Sequence, residues 1–203
     1  MPLEYPDPPL RGAAFVLRPF RPADFAPAAA FARDPANARW VPPLPADDAD
    51  GVVDRFERFR ADGDLLHLVI ADPGDDAYQG EIMLAMGEHD VGEVGCGVVP
   101  GRRRAGVAAD ALGVFTHWCT TTLGVRRIQA LVAADNAPAL GLVRRVGFRR
   151  EGLLRSYWAD GDVRIDVEMH SLLPGETPAA DGPGRGTSRP SDRRADAVEP
   201  GGE

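Results

Sequence analysis

Residues 102–108 read Arg-Arg-Arg-Ala-Gly-Val-Ala. Three like charges stand immediately before an apolar pattern of helical spacing. A helix start carries unpaired N–H groups and a partial positive charge, which makes it an anion site. Gly106 lets the backbone come close to a ligand, and Ala105 and Ala108 keep bulk out of the way. Arg103 and Arg104 can add charge-assisted bonds to phosphate oxygens. The chemistry these residues suit is the docking of a doubly negative group; the plainer reading is a tight turn with solvated arginines. Neither G-x-x-x-x-G-K-[ST] nor a strand-following G-x-G-x-x-G occurs, so two familiar forms of phosphate recognition are excluded.

Other reactive side chains point less sharply. His67, His89 and His117 lack metal-ligand spacing, and no metal site is expected. The G-x-S-x-G motif of serine hydrolases is absent. Cys96 and Cys119 fall inside a predicted strand and helix, which suits reduced thiols in a cytoplasm; Cys96 is expected to pack rather than to act as a nucleophile. Trp40 and Trp158 lie in loop-like stretches and suit an acceptor pocket or core packing equally. Asp160 and Asp162, beside Trp158, could attract a cation or simply build a turn.

The chain that positions these residues has 203 residues, 44% hydrophobic and 27% charged, enough for one domain with a sizeable core. No apolar run is long enough for a membrane span. The net charge of −8 argues against nucleic acid as a partner and leans toward cationic substrates. Residues 1–12 are acidic and Pro-rich, unlike a signal peptide, and are expected as an N-terminal extension. Residues 176–203 are rich in Gly, Pro and charge, with Val198 the lone large aliphatic, and are expected as a disordered tail. That leaves 13–175 as the domain.

Within it, strands are expected at 13–20, 65–72, 78–86, 92–100, 126–133, 148–157 and 163–172, the last two joined by the turn Trp-Ala-Asp-Gly-Asp. Helices are expected at 22–32, 47–62, 106–123 and 137–146, with Pro22 and Pro138 in first turns. The third is the clearest, with Ala108, Ala111, Leu112, Phe115, Cys119 and Leu123 on one face. The order implies an α+β fold with a local parallel β-α-β unit around 92–132.

Arg103-x-x-Gly106-x-Ala108 after a strand ending Val98-Val99-Pro100 resembles motif A of the GNAT superfamily of acyl-CoA-dependent N-acetyltransferases. A second block, with Asn136, Gly147 and Phe148 at matching spacing, resembles that superfamily's Asn-initiated helix. The flanks "LRPFRPADF", "GEVG", "GFRREGLLR" and "DVEMHSLLPG" are most similar to the ribosomal-protein N-terminal (Rim-type) branch. The resemblance covers about 13–175. It implies a mixed, mostly antiparallel seven-stranded sheet flanked by helices and splayed between the fourth and fifth strands.

It also implies acetyl-CoA as co-substrate, with its pyrophosphate on the amides of Arg103, Arg104, Ala105, Gly106, Val107 and Ala108. The cofactor arm would run beside Val98 and Val99 on a strand notched by Gly95 and Gly97, and Asn136 would contact it. Val98 N–H is then the candidate to polarise the thioester carbonyl. A protonated amine acceptor must lose a proton before attack, so a carboxylate is expected nearby: Glu93 first, Glu81 second. Ala139 and Val143 stand where relatives place a Ser or Tyr acid, leaving Tyr157 and His170 as substitutes for protonating the thiolate. Trp40, Glu81 and Trp158 are the candidates for holding the acceptor. The expected partners are acetyl-CoA and a primary amine, either a protein N-terminus or a small molecule, with the chain a cytoplasmic monomer or homodimer. The missing Ser and Tyr keep a second reading open, a catalytically idle acyl-CoA-binding module; a protein that reads only a diphosphate is a third.

Overall fold

The computed structural model describes residues 1–176. Its eight strands are β1 (Arg11–Gly12), β2 (Phe15–Arg18), β3 (Leu65–Ala71), β4 (Tyr78–Met86), β5 (Val91–Val98), β6 (Arg127–Ala133), β7 (Arg149–Asp160) and β8 (Val163–Leu172). Its α-helices are α1 (Phe25–Arg33), α2 (Ala49–Asp62), α3 (Val107–Thr121) and α4 (Ala137–Val146). One sheet takes the order β1-β2-β3-β4-β5-β6-β8-β7. Every pairing is antiparallel except β5 with β6.

The expected seven strands are therefore eight. The addition is β1, two residues paired with β2, too short to carry an alternating pattern that a sequence could reveal. The closing hairpin also differs from expectation. β7 runs on through Trp158 to Asp160, and only Gly161 and Asp162 are left to turn the chain. The tail expected from 176 lies outside the described residues apart from Glu176, whose Oε2 accepts from Leu173 N at 3.0 Å. In the expected extension, Leu3, Tyr5 and Leu10 pack against the core, and Leu3 N donates to Arg60 O at 3.0 Å.

Alternation along the strands divides the apolar residues between two faces. Even-numbered residues of the central strands, such as Leu68, Ile82, Val94 and Val98, pack with Leu112, Phe115, Leu140 and Val143 of α3 and α4. On the opposite face Val69 packs with Phe20, Val52 and Phe56. Each main helix ends where the sequence punctuates it. Asp48 caps α2 through Gly51 N at 2.8 Å, and Asn136 caps α4 through Ala139 N at 3.2 Å. Gly63 and Gly147 close the same helices in left-handed conformation.

The feature that creates a site is the parallel joint. β5 and β6 pair only at Val91–Arg127, Gly92–Ile128 and Glu93–Gln129, then separate. Beyond that point two strand edges face an open wedge in the middle of the sheet.

Candidate active site

The ladder register decides what the wedge offers. Gly87 N donates to Val91 O and Val99 N donates to Gln79 O, both at 2.8 Å, so odd-numbered residues of β5 direct their backbone polar groups at β4. The alternation sends the backbone groups of Val94, Cys96 and Val98 the other way, into the wedge. Val98 N–H thus faces the gap, while its side chain packs in the α3 core.

Above the wedge sits the arginine turn. Pro100–Arg102 form a single 3-10 turn, and α3 then begins at Val107. Arg104 has φ 60° and Gly106 φ 86°, both left-handed, an arrangement that gathers successive N–H groups into a concave anion site. The first backbone bond of α3 is Asp110 N to Gly106 O, 3.0 Å, and Gly106 supplies no capping side chain. Among the described residues, the N–H groups of 104–109 meet no protein acceptor. These are orphan donors of the kind that suit an anion.

The three arginines do not act alike. Arg102 Nη2 donates to Asp72 Oδ2 at 2.7 Å. Arg103 Nη2 donates to Asn37 Oδ1 at 2.9 Å and meets Asp34 Oδ1 at 3.3 Å. Only Arg104 is without a side-chain partner among the described residues. Two of the three cations are thus balanced by the protein's own oxygens, in ties that a ligand phosphate would have to exchange.

A cavity of about 1080 Å³ runs from this turn through the wedge to the opposite face of the sheet. On the α3 side Cys96, Ala108 and Leu112 line it, followed by Asn136 and Ala139 at the start of α4. Burial, and then the negative charge of Glu81, push the Cys96 thiol up to about 12, which disfavours the thiolate a nucleophile needs. On the other side the lining includes Phe31, Phe56, Phe59, His67 and Glu81. The ring of Phe31 occupies the space a side chain at position 97 would need: a Cβ there would lie 2.8 Å from the ring. Gly97 is in register with Glu81 on β4, so the same notch brings that carboxylate beside the wedge.

Glu81 is fixed from two directions. His67 Nε2 lies 3.1 Å from its Oε2, and the Tyr78 hydroxyl donates to the same oxygen at 3.3 Å. The His67 ring stacks on Phe56 at 3.9 Å with an interplanar angle of 7°. Burial and the neighbouring Glu81 charge push the Tyr78 hydroxyl far up, so it remains a donor. A half-buried carboxylate with both contacts on one oxygen keeps its other oxygen for a ligand.

Glu93 is placed differently. It sits where β5 and β6 part, accepts from Gln129 Nε2 at 3.2 Å, and does not line the cavity. Tyr157 also lies outside the lining, 49% exposed. Ser156 is left-handed at φ 53° and the β7–β8 register shifts between Leu154 and Trp158, which turns Trp158 into the cavity and Tyr157 away. His170 is fully buried against Glu168 at 3.0 Å and does not reach the cavity. Trp40 and Trp158 both line it.

Sequence reasoning took only Trp40 from the loop between α1 and α2, which crosses the mouth of the wedge. Arg103 ties it at Asp34 and Asn37, and Arg39 ties it to Asp135 and Asp160, both at 2.8 Å. Asp160, a candidate cation attractor, is therefore paired already. No periodic pattern marks such a loop; the signal was its prolines, Pro42, Pro43 and Pro45, which line the cavity.

The family model of the acetyltransferase (GNAT) domain matches residues 15–149. The chain belongs to the GNAT acetyltransferase family. Two relatives from bacilli agree: an uncharacterized N-acetyltransferase, YoaA, of Bacillus subtilis (strain 168) is 29% identical over 86 residues, 42% of this chain and 49% of the relative. The uncharacterized N-acetyltransferase p20 of Bacillus licheniformis is 38% identical over 68 residues, 34% of this chain and 38% of the relative. The chain thus spans half or less of the length of these curated relatives. Among solved structures, a putative ribosomal-protein-serine acetyltransferase from Vibrio cholerae superposes with TM-score 0.72 at 17% identity, covering 84% of this chain and 100% of that one. Mycobacterium smegmatis RimJ in complex with CoA-disulfide gives 0.70 at 24% identity, covering 81% and 84%. Spermidine N-acetyltransferase from V. cholerae in complex with CoA and spermine gives 0.69 at 19%, covering 81% and 98%. The GNAT fold of this chain is shared by all three.

Proposed function

We propose that this GNAT chain transfers the acetyl group of acetyl-CoA to a primary amine by direct attack. One observation carries the reading: an unpaired run of helix-start amides, 104–109, opens into a wedge that leads to a held carboxylate, Glu81. The amides fit the diphosphate of acetyl-CoA, with Arg104 available to its phosphate oxygens. The edge of β5 fits the amide-bearing arm as an added strand.

The chemistry then needs few groups. The acceptor arrives as R–NH₃⁺ and gives one proton to Glu81, which takes the role first expected of Glu93 because Glu81 borders the cavity. The amine lone pair forms the C–N bond at the thioester carbonyl, and the developing oxyanion accepts from Val98 N–H. The C–S bond breaks, the sulfur leaves as thiolate, and the second amine proton is lost as the amide forms. Products are R–NH–CO–CH₃, CoA thiol and one proton released to solvent. A thiolate whose conjugate acid has a pKa of about 8.5 leaves without a dedicated acid and is protonated by water. The neutral Cys96 argues against an acyl-cysteine detour.

The names of the structural neighbours cover a ribosomal protein and spermidine alike, and amino groups of both kinds suit this step. The test is spectrophotometric release of CoA thiol from acetyl-CoA over a panel of amines and N-terminal peptides. Amine-dependent release is expected. Tight acetyl-CoA binding with no release on any amine would favour the idle binding module instead.

A further inference from the structure

Resting on that reading, we propose that the acceptor is a small amine with a single positive charge on an apolar, aromatic-sized body. The charge count comes first. Glu81 is the one carboxylate among the residues that line the cavity. Three carboxylates next to lining residues are already engaged: Asp34 by Arg103, and Asp135 and Asp160 by Arg39. The other charged side chains of the lining are arginines, at 102–104 and 145. One ammonium can be met; a second or third would lie against apolar wall or guanidinium with nothing to balance it, which is costly out of water.

The wall supplies the rest of the specificity. The lining includes Phe31, Trp40, Phe56, Phe59 and Trp158, with Leu44 and the loop prolines, and Phe56 stacks on the His67 ring that meets Glu81. Such a lining rewards a flat or branched hydrocarbon body and offers little to a string of amines. The first half of the loop, residues 34–39, is tied across the mouth through Arg103 and Arg39, which favours a compact molecule over an extended polypeptide end.

The probes are 2-phenylethylamine, spermidine and a tetrapeptide beginning with phenylalanine, each assayed for CoA thiol release and, separately, titrated calorimetrically into the protein saturated with CoA. The expected result is a kcat/KM for 2-phenylethylamine at least about tenfold above both others, with binding in the same order. Trp40→Ala should raise the KM for 2-phenylethylamine severalfold while leaving acetyl-CoA affinity unchanged, and Phe59→Ala serves as a second variant should the first fail to fold. Calorimetry separates the two readings: 2-phenylethylamine that binds without being acetylated sustains the pocket and overturns acetyl transfer. Spermidine equal to or better than 2-phenylethylamine overturns the single-charge pocket, and so does absence of amine binding. A tetrapeptide preferred by about tenfold or more overturns the small-molecule assignment.

Discussion

At the scale of single residues, two glutamates on the same face of the sheet separate by register alone. Glu93 lies opposite Ala85 and Glu81 opposite Gly97, with Met83 and Gly95 between them. That spacing carries Glu93 back to the closed joint, where Gln129 holds it, and leaves Glu81 at the open wedge with His67 and Tyr78 on one oxygen. Glu81→Gln is therefore expected to lower kcat by about 10²–10⁴-fold, the usual worth of a positioned general base, with little change in acetyl-CoA affinity. Glu93→Gln should cost under about tenfold, because it touches neither substrate. Steady-state kinetics on both variants decides; a larger loss at Glu93 would reverse the assignment. Motif spacing could propose either glutamate, since both stand on strands beside the cleft. Only the antiparallel ladder, which a single sequence does not display, says which reaches the cavity.

At the scale of elements, the strand–turn–helix unit from Val91 to Thr121 carries the site. The turn owes its shape to two left-handed residues, and at Gly106 a Cβ would make only ordinary contact with the Asp110 carboxylate but would have the wrong backbone. Gly106→Val is expected to cost about 1–2 kcal/mol of stability through that strain, lowering Tm by about 2–8 °C. Acetyl-CoA Kd should rise at least about tenfold as the amides lose their common direction, measured by calorimetry. An unchanged Kd would remove the turn from the binding site. Elements of this kind were legible because local chemistry dictates them: α4 occupies 137–146 as its Asn136 cap, early Pro138 and closing Gly147 imply. The short β1, the last residues of β7, 158–160, and the tied loop before α2 were not legible. β1 is too short to show a pattern and a register shift interrupts β7 before its last residues, while the loop depends on partners far away in sequence, Arg103, Asp135 and Asp160.

At the scale of the whole molecule, function rests on an interruption. A sheet with seven regular junctions would have no use for the backbone groups of Val94, Cys96 and Val98; the early end of the β5–β6 pairing after Glu93 frees them and opens a passage from one face to the other. The amides of α3 line one end of that passage and the pocket holding Glu81 the other, so in the proposed reaction the two substrates would approach from opposite sides and meet at Val98. Hydrogen–deuterium exchange of the described residues, with and without saturating acetyl-CoA, tests this most directly. Exchange at the amides of 104–109 and at Val98 should slow by at least about tenfold on binding, while the β7–β8 turn at Gly161 and Asp162 keeps its rate. Unchanged exchange at 104–109, under conditions where calorimetry records acetyl-CoA bound, would contradict the account.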